Sequence, residues 1–118
     1  MRDPATRRRR RFGRDQRLHT SAAFEALLRR GRRTARHGFV FYTLRRDSGP
    51  ARLGILLSRR HARKATMRNR IKRCIREAFR LEQARLGALD VLVRPPCGMK
   101  PGPATLALLR SLFGALAR

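Results

Sequence analysis

Residues 68–80 combine a helical repeat of apolar side chains with a row of cations, and this segment constrains the fold more than any other. At about 3.6 residues per turn, one face of the helix is apolar and the opposite face is cationic. The apolar face comprises Ile71, Ile75, Ala78 and Phe79, with Cys74 beside it. The opposite face comprises Asn69, Lys72, Arg73, Arg76 and Arg80. The sequence therefore predicts a helix that is buried on one side and positively charged on the other.

Cations at this spacing repel one another, at a cost of about a few tenths of a kcal/mol per pair. Glu77, beside Arg73 and Arg80, is the one acidic residue in the segment. Solvated helices usually mix both signs of charge, so we expect this face to lie against phosphate groups. The Asn69 amide both donates and accepts, and it could orient a sugar or a base edge. Its alternative role is to cap the start of the helix.

The excess of basic residues along the whole chain also predicts a polyanionic partner. The 118 residues include 31 Lys or Arg against 7 Asp or Glu, which gives a formal net charge of +24. An apolar fraction of 42% is typical of a folded chain rather than a disordered one. Release of counterions favours contact with a nucleic acid or an anionic membrane. A small acidic substrate does not require so large a charge, so we expect no small-molecule substrate.

The terminal segments and the cysteines further limit the class of protein and its compartment. Residues 1–11 include five consecutive arginines and are predicted to form a disordered basic arm, with residues 12–118 as a single domain. The alternative for the arm is a solvated tail without a role. No run of 18 apolar residues exists, so no contact with a membrane through a spanning segment is expected. Cys74 and Cys97 lack a C-x-x-C pattern, which favours reduced thiols in a cytoplasmic protein over a metal site.

The remaining pattern predicts a short series of elements. These are a helix capped by Thr20 or Ser21 and ending at Gly31, strands over 38–45 and 51–58 that run antiparallel, a helix over about 67–86, a strand over 89–94, and a helix over 105–117. The order predicts an α+β fold with helices packed on a small sheet. An extra short strand near the middle would not show in this pattern.

The segment R-N-R-I-K-R-x-I-R-E-x-F-R resembles the arginine–asparagine–arginine signature of the bacterial ribonuclease P protein component. Four further segments resemble the same family in the same order. They are the F-x-x-x-x-R-L pattern at 12–18 with Phe24 following, A-R-L-G-I at 51–55, S-R-R at 58–60 and L-D-V-L-V at 89–93. The resemblance covers nearly the whole chain after the arginine arm.

This resemblance implies a fold like the second domain of a small-subunit ribosomal protein. Three helices would surround a small four-stranded sheet, and the signature helix would lie in a left-handed β-α-β crossover. The family's protein is the non-catalytic subunit of a ribonucleoprotein endoribonuclease. Its partner is a catalytic RNA, which carries the active site and holds Mg²⁺. Together they remove the 5′ leader of precursor tRNA by hydrolysis.

The resemblance also implies two groups of site residues. Those that would contact RNA are Arg59, Arg60, Arg63, Lys64, Arg68, Asn69, Arg70, Lys72, Arg73, Arg76 and Arg80. Those that would line a leader cleft are Phe12, Arg17, Phe24, Leu28 and Tyr42. Aromatic rings stack on unpaired bases of any sequence, which suits a subunit that handles many leaders. Phe24 has a plain core role as its alternative, and Leu28 stands where relatives can carry a second aromatic residue.

Two other functions were weighed against this one. A self-sufficient nuclease needs grouped carboxylates or a paired acid and base, whereas the acidic residues of this chain are scattered singly. A ribosomal-type or general RNA-binding protein without a catalytic partner would satisfy the charge and the fold class. The ordered set of motifs favours the ribonuclease P subunit, and no catalytic residue is expected in the protein.

Overall fold

Three helices and four strands make up the part of the chain that the computed structural model describes, residues 17–18 and 20–117. In chain order they are α1 (Ser21–Arg30), β1 (Arg32–Arg36), β2 (Phe39–Arg45), β3 (Arg52–Ile55), α2 (Ala65–Leu86), β4 (Leu89–Arg94) and α3 (Pro103–Leu116). The predicted α+β class is confirmed, and β1 is the additional strand that the pattern did not reveal. The predicted arm at 1–11 lies outside the described residues, and the single domain over 12–118 stays a prediction.

The four strands form one mixed sheet in the order β1-β2-β4-β3. The two pairs β1–β2 and β2–β4 are antiparallel, and β3 pairs with β4 in parallel through the α2 crossover. As predicted, β3 runs opposite in direction to β2, but β4 is inserted between them. A crossover helix is what allows two parallel neighbours to pair. The predicted strand over 51–58 is shortened to Arg52–Ile55, and the left hand of the crossover stays a prediction.

The sheet is covered on both faces because successive strand residues point to opposite sides. Val91 and Val93 point towards α2 and α3 and belong to a large core of sixteen buried residues. Leu92 points the other way, towards α1, into a small core with Leu18 and Leu27. The predicted apolar face of α2 is confirmed, since Ile71, Ile75, Ala78 and Phe79 are all fully buried.

The helix ends follow the predicted signals. The Thr20 hydroxyl oxygen accepts a hydrogen bond from the Ala23 amide at 3.1 Å, and the Gly31 amide donates to the Leu27 carbonyl at 2.9 Å. Gly87, at a φ of 66°, ends α2 in the left-handed region that glycine adopts without strain. Among the described residues, no helix combines the length and apolarity that a membrane crossing requires.

Two buried carboxylates join distant parts of the fold, and the sequence did not predict their partners. Asp90 accepts hydrogen bonds from Arg46 and Arg52, with closest contacts of 2.8 Å and 2.7 Å, and it lies opposite Arg52 in the β3–β4 register. Hydrogen bonding to Asp90 raises the pKa of Arg52. Glu82 of α2 accepts from Arg110 of α3 at 2.8 Å. These ion pairs fix β3 and α2, the two elements that position the site.

Candidate nucleic-acid interface

The cationic face of α2 is intact in the structure and borders a groove. We call Asn69, Lys72, Arg73, Arg76 and Arg80 the α2 strip. All of its members except Lys72 line a groove of about 370 Å³, together with Arg17 and Glu77. The predicted strip is therefore brought together on one surface, and Arg17, from the segment that precedes α1, adds a fifth basic side chain to its four.

Arg17 reaches α2 because its own segment runs along the free edge of β3. Arg17 forms an isolated parallel bridge with Leu53, and the Leu18 amide donates to the Leu53 carbonyl at 2.8 Å. The pKa of Arg76 is lowered, first by its partial burial and second by the positive charge of Arg17. Two guanidinium groups held close together beside partly buried surface favour an anion between them.

Glu77 partly neutralises one end of the strip. Its carboxylate accepts from the Arg80 Nε at 3.0 Å, and this hydrogen bond lowers the pKa of Glu77 and raises that of Arg80. Glu77 therefore relieves the predicted repulsion between cations by pairing with Arg80, one turn further along the helix. Arg73 and Arg76 form no ion pair with any residue that the structure describes. They are the members of the strip best placed to receive phosphate.

A second, narrower groove joins the α2 strip to the small core. Its volume is about 250 Å³, and its lining comprises Arg17, Leu18, Phe24, Leu53, Gly54, Ile55, Lys72 and Arg76. The backbone of β3 approaches the Phe24 ring closely because Gly54 has no side chain. Phe24 is half-buried, so it packs on the small core and also lines the groove. Both roles considered for Phe24 are therefore compatible with its position.

Of the other residues expected in a leader cleft, Arg17 lines this groove, whereas Leu28 and Tyr42 are not part of its lining. Leu28 is 45% exposed, one turn beyond Phe24 on α1, and is not among the lining residues. Tyr42 is half-buried in the small core, with Leu92 of β4 between it and Gly54 of β3. Two strand spacings of about 4.8 Å each separate Tyr42 from the groove floor. Phe12 lies outside the described residues.

The basic loop before α2 forms a third surface. A shallow depression of about 540 Å³ is lined by Arg59, Arg60, Arg63, Ala65 and Arg68. Arg68 also has a structural role, because its Nη1 donates to the carbonyls of Ala62 and Arg63 at 3.0 Å and 2.8 Å. Lys64 is exposed at the start of the helix, and Arg70 is exposed outside these grooves. The loop thus continues the positive surface past the first turn of α2.

The described acidic, histidine and cysteine side chains do not assemble into a metal-binding group of three or more. Asp90, Glu82 and Glu77 each accept hydrogen bonds from arginines instead. The sequence pattern placed Glu77 beside Arg73 and Arg80 but predicted no partners for Asp90 and Glu82, since Asp90 and Arg46 are 44 residues apart. The described site is a cationic surface with an adjoining groove bordered by Phe24, an arrangement that suits phosphates and unpaired bases.

Comparison with known proteins gives one consistent family. The sequence model of the family described as Ribonuclease P matches residues 12–116. The ribonuclease P protein component of Bordetella petrii is 40% identical over 107 residues, covering 86% of this chain and 85% of that protein. The component of Bordetella avium is 39% identical over 115 residues, covering 88% and 93%.

Solved structures agree. The fold is similar to that of the RNase P protein from Thermotoga maritima, with a TM-score of 0.72 and 25% identity over 84% of this chain and 96% of that one. It is also similar to the RNase P protein of Staphylococcus aureus, with a TM-score of 0.67 and 28% identity over 86% of this chain and 91% of that one.

Proposed function

The chain belongs to the ribonuclease P protein family, and on this premise we propose that the groove beside α2 holds the 5′ leader of precursor tRNA. Membership makes it the protein subunit of a tRNA-processing ribonucleoprotein endoribonuclease. A general RNA-binding protein without a catalytic partner is the less supported reading, because the family and the fold both match along most of the chain.

The observation that carries the proposal is the position of Arg17, Phe24 and Arg76 around one groove. Two guanidinium groups offer charge-assisted hydrogen bonds to a leader phosphate. The Phe24 ring offers a stacking surface to an unpaired base, which tolerates any sequence. A groove with these two features suits single-stranded RNA better than a duplex, whose bases are already stacked.

The α2 strip and the basic loop support binding to the catalytic RNA. Arg73, Arg59, Arg60 and Arg63 are exposed, and none is in an ion pair among the described residues. Each phosphate neutralised by such a side chain releases counterions, so affinity comes from the number of contacts and falls with salt. Arg68, Arg70, Lys72, Arg80 and Lys64 belong to the same proposed surface, with Asn69 as its uncharged member.

Mg²⁺ is assigned in this proposal to the RNA. Magnesium prefers carboxylate and water oxygens in a near-octahedral arrangement. The described carboxylates do not offer such a set, because Asp90 and Glu82 are buried against arginines and Glu77 is bound to Arg80. No step of hydrolysis is therefore derived from the protein's own residues. Their part is to bind the leader, hold it in one orientation and lower the charge repulsion between the two RNAs.

We further propose that the protein acts in the cytoplasm. The described thiols Cys74 and Cys97 are both free, and Cys97 is exposed, as a reducing compartment allows.

The experiment that tests the proposed function is cleavage of 5′-labelled precursor tRNA at low Mg²⁺. Protein alone, a bacterial catalytic RNA alone and the two together are compared. Activity that depends on both supports the proposal. Cleavage by protein alone, after removal of contaminating nucleases, would contradict the assignment of the active site to RNA. If the protein does not stimulate cleavage by any of several catalytic RNAs, the general RNA-binding alternative would be favoured.

A further inference from the structure

A second group of arginines lies at the edge of the sheet formed by β1. We call it the β1 edge, and it comprises Arg29, Arg30, Arg32, Arg33 and Arg36. All five are exposed. Residues 26–46 contain no Asp or Glu, and the nearest preceding acidic residue is Glu25 on α1. The five arginines therefore have no acidic residue between them along the chain.

The β1 edge and the groove beside the α2 strip lie at opposite edges of the sheet. β1 is the first strand and β3 the last, so three strand spacings, about 14 Å in total, separate them. The groove that adjoins α2 is at the β3 end, where Arg17 bridges to Leu53. A single extended strand of RNA lying in that groove does not also run along β1.

The fold makes little use of these five side chains. None of them takes part in an ion pair with a residue that the structure describes, and Arg36 Nη1 donates only to the carbonyl of the neighbouring Ala35, at 3.2 Å. Arginines that serve the fold are paired with buried carboxylates, as Arg52 and Arg110 are. Charge on an edge strand also discourages pairing with another chain. β1 carries three arginines among its five residues, and all three are exposed.

We propose that the β1 edge binds the phosphate backbone of the catalytic RNA at a segment separate from the one at the α2 strip, so that the protein bridges two RNA segments. This inference rests on the proposed function, which supplies the RNA partner. Arg32 and Arg36 lie on one face of β1, about 14 Å apart along the strand, and Arg33 lies on the other face, so the edge offers cations to phosphates on both of its sides. The leader occupies the opposite edge of the sheet, which leaves the catalytic RNA as the ligand of β1. Recognition through phosphates alone is independent of sequence.

The test is the salt dependence of binding between the full chain and a bacterial catalytic RNA, with no precursor tRNA present. One variant carries Arg32→Gln, Arg33→Gln and Arg36→Gln, and its counterpart carries Arg70→Gln, Lys72→Gln and Arg73→Gln. Each should reduce the slope of log affinity against log salt by about 2, since each lost contact contributes about 0.7. The combined variant should lose about twice as much, because distant sites act additively. Circular dichroism and Tm check that the variants are folded.

Several outcomes would overturn the inference. One is an unchanged slope for the β1 variant while the α2 variant shows the loss. Self-association of the β1 variant at an unchanged slope would assign the arginines to preventing strand pairing. A loss of slope that appears only after precursor tRNA is added would assign them to the substrate. An unchanged slope for the α2 variant would contradict the catalytic-RNA contact assigned to α2 in the proposed function. Since a bridge needs both contacts, it would overturn the inference as well.

A second readout locates the contact directly. Iron–EDTA is attached to a single cysteine at an exposed position of β1 (Ala35→Cys) or at the start of α2 (Thr66→Cys), in a Cys74→Ala, Cys97→Ala background. The two positions should cut the catalytic RNA at different nucleotides. Cutting from position 35 no stronger than from free reagent, with cutting from position 66 retained, would overturn the bridge.

Discussion

A Cβ atom placed on Gly54 would lie 2.9 Å from Cε1 of Phe24 and 3.0 Å from Cδ1 of Leu92. β3 and α1 are thus in contact where Gly54 leaves room for the aromatic ring. The absence of a side chain at this position lets Phe24 pack on the small core and border the groove at once.

We therefore expect Gly54→Ala to displace Phe24 and to destabilise the fold by about 1–3 kcal/mol, the usual cost of overpacking. Urea unfolding measures the loss, and affinity for leader-bearing precursor should fall with it. Gly102→Ala is the matched control, because nothing lies within 4 Å of a Cβ at that position. Equal effects of the two substitutions would show that the contact with Phe24 is unimportant.

Phe24→Ala should reduce the affinity of the holoenzyme for precursor tRNA more than for mature tRNA. Loss of one base–aromatic stack costs about 1–3 kcal/mol, or roughly 5- to 150-fold in affinity. Binding of both RNAs to the assembled holoenzyme gives the ratio. Leu28→Ala, one turn along α1 and outside the groove lining, should change this ratio less. If both RNAs lose affinity equally, Phe24 serves the core alone.

Arg73→Ala and Arg76→Ala should each weaken RNA binding at all sequences and reduce the salt slope by roughly one unit. The physical reason is that each side chain would neutralise one phosphate. The slope is measured across a range of salt concentrations, with the catalytic RNA for Arg73 and with leader-bearing precursor tRNA and the holoenzyme for Arg76. Lys100→Ala removes an exposed cation from the loop between β4 and α3 and serves as the control. Slopes identical to the unsubstituted protein would remove both arginines from the phosphate contacts.

Asp90→Asn should lower the free energy of unfolding by about 3 kcal/mol or less. The substitution leaves Arg46 and Arg52 without their shared carboxylate, although both guanidinium groups are partly exposed and regain some hydration. Denaturant midpoints provide the measurement. Asp47→Asn removes the same charge from an exposed turn and is the control. It separates the effect of losing the ion pairs from the effect of a higher net charge. If both substitutions lower the denaturant midpoint equally, the change in net charge would be the cause.

The sequence predicted the parts of this fold that depend on short-range periodicity. The buried face of α2 follows from the spacing of Ile71, Ile75 and Phe79, and the ends of α1 follow from Thr20 and Gly31. β1 was not located, because its sequence R-R-T-A-R has no apolar alternation and the strand depends on pairing with β2. The insertion of β4 beside β2 depends on long-range packing, which local patterns do not encode.

The site was predictable in part for the same reason. The α2 strip lies on one helix and is visible in the spacing of its residues, whereas Arg17 reaches it only through its bridge to β3. Arg17 entered the predicted site through family resemblance alone. The separation of Tyr42 from the groove depends on the strand order, which the sequence did not supply.

The unequal division of the core has a consequence for the dynamics of the groove. α1 is held by a cluster with three buried side chains, whereas α2 and α3 share sixteen. Segments with few buried contacts open locally at a lower free energy than the whole molecule unfolds. In native-state hydrogen exchange, the amides of α1 should therefore exchange ahead of those of α2 and β4. The groove then has one rigid side and one mobile side. If it holds the leader as proposed, small displacements of α1 would accommodate leaders of different sequence while α2 stays in place.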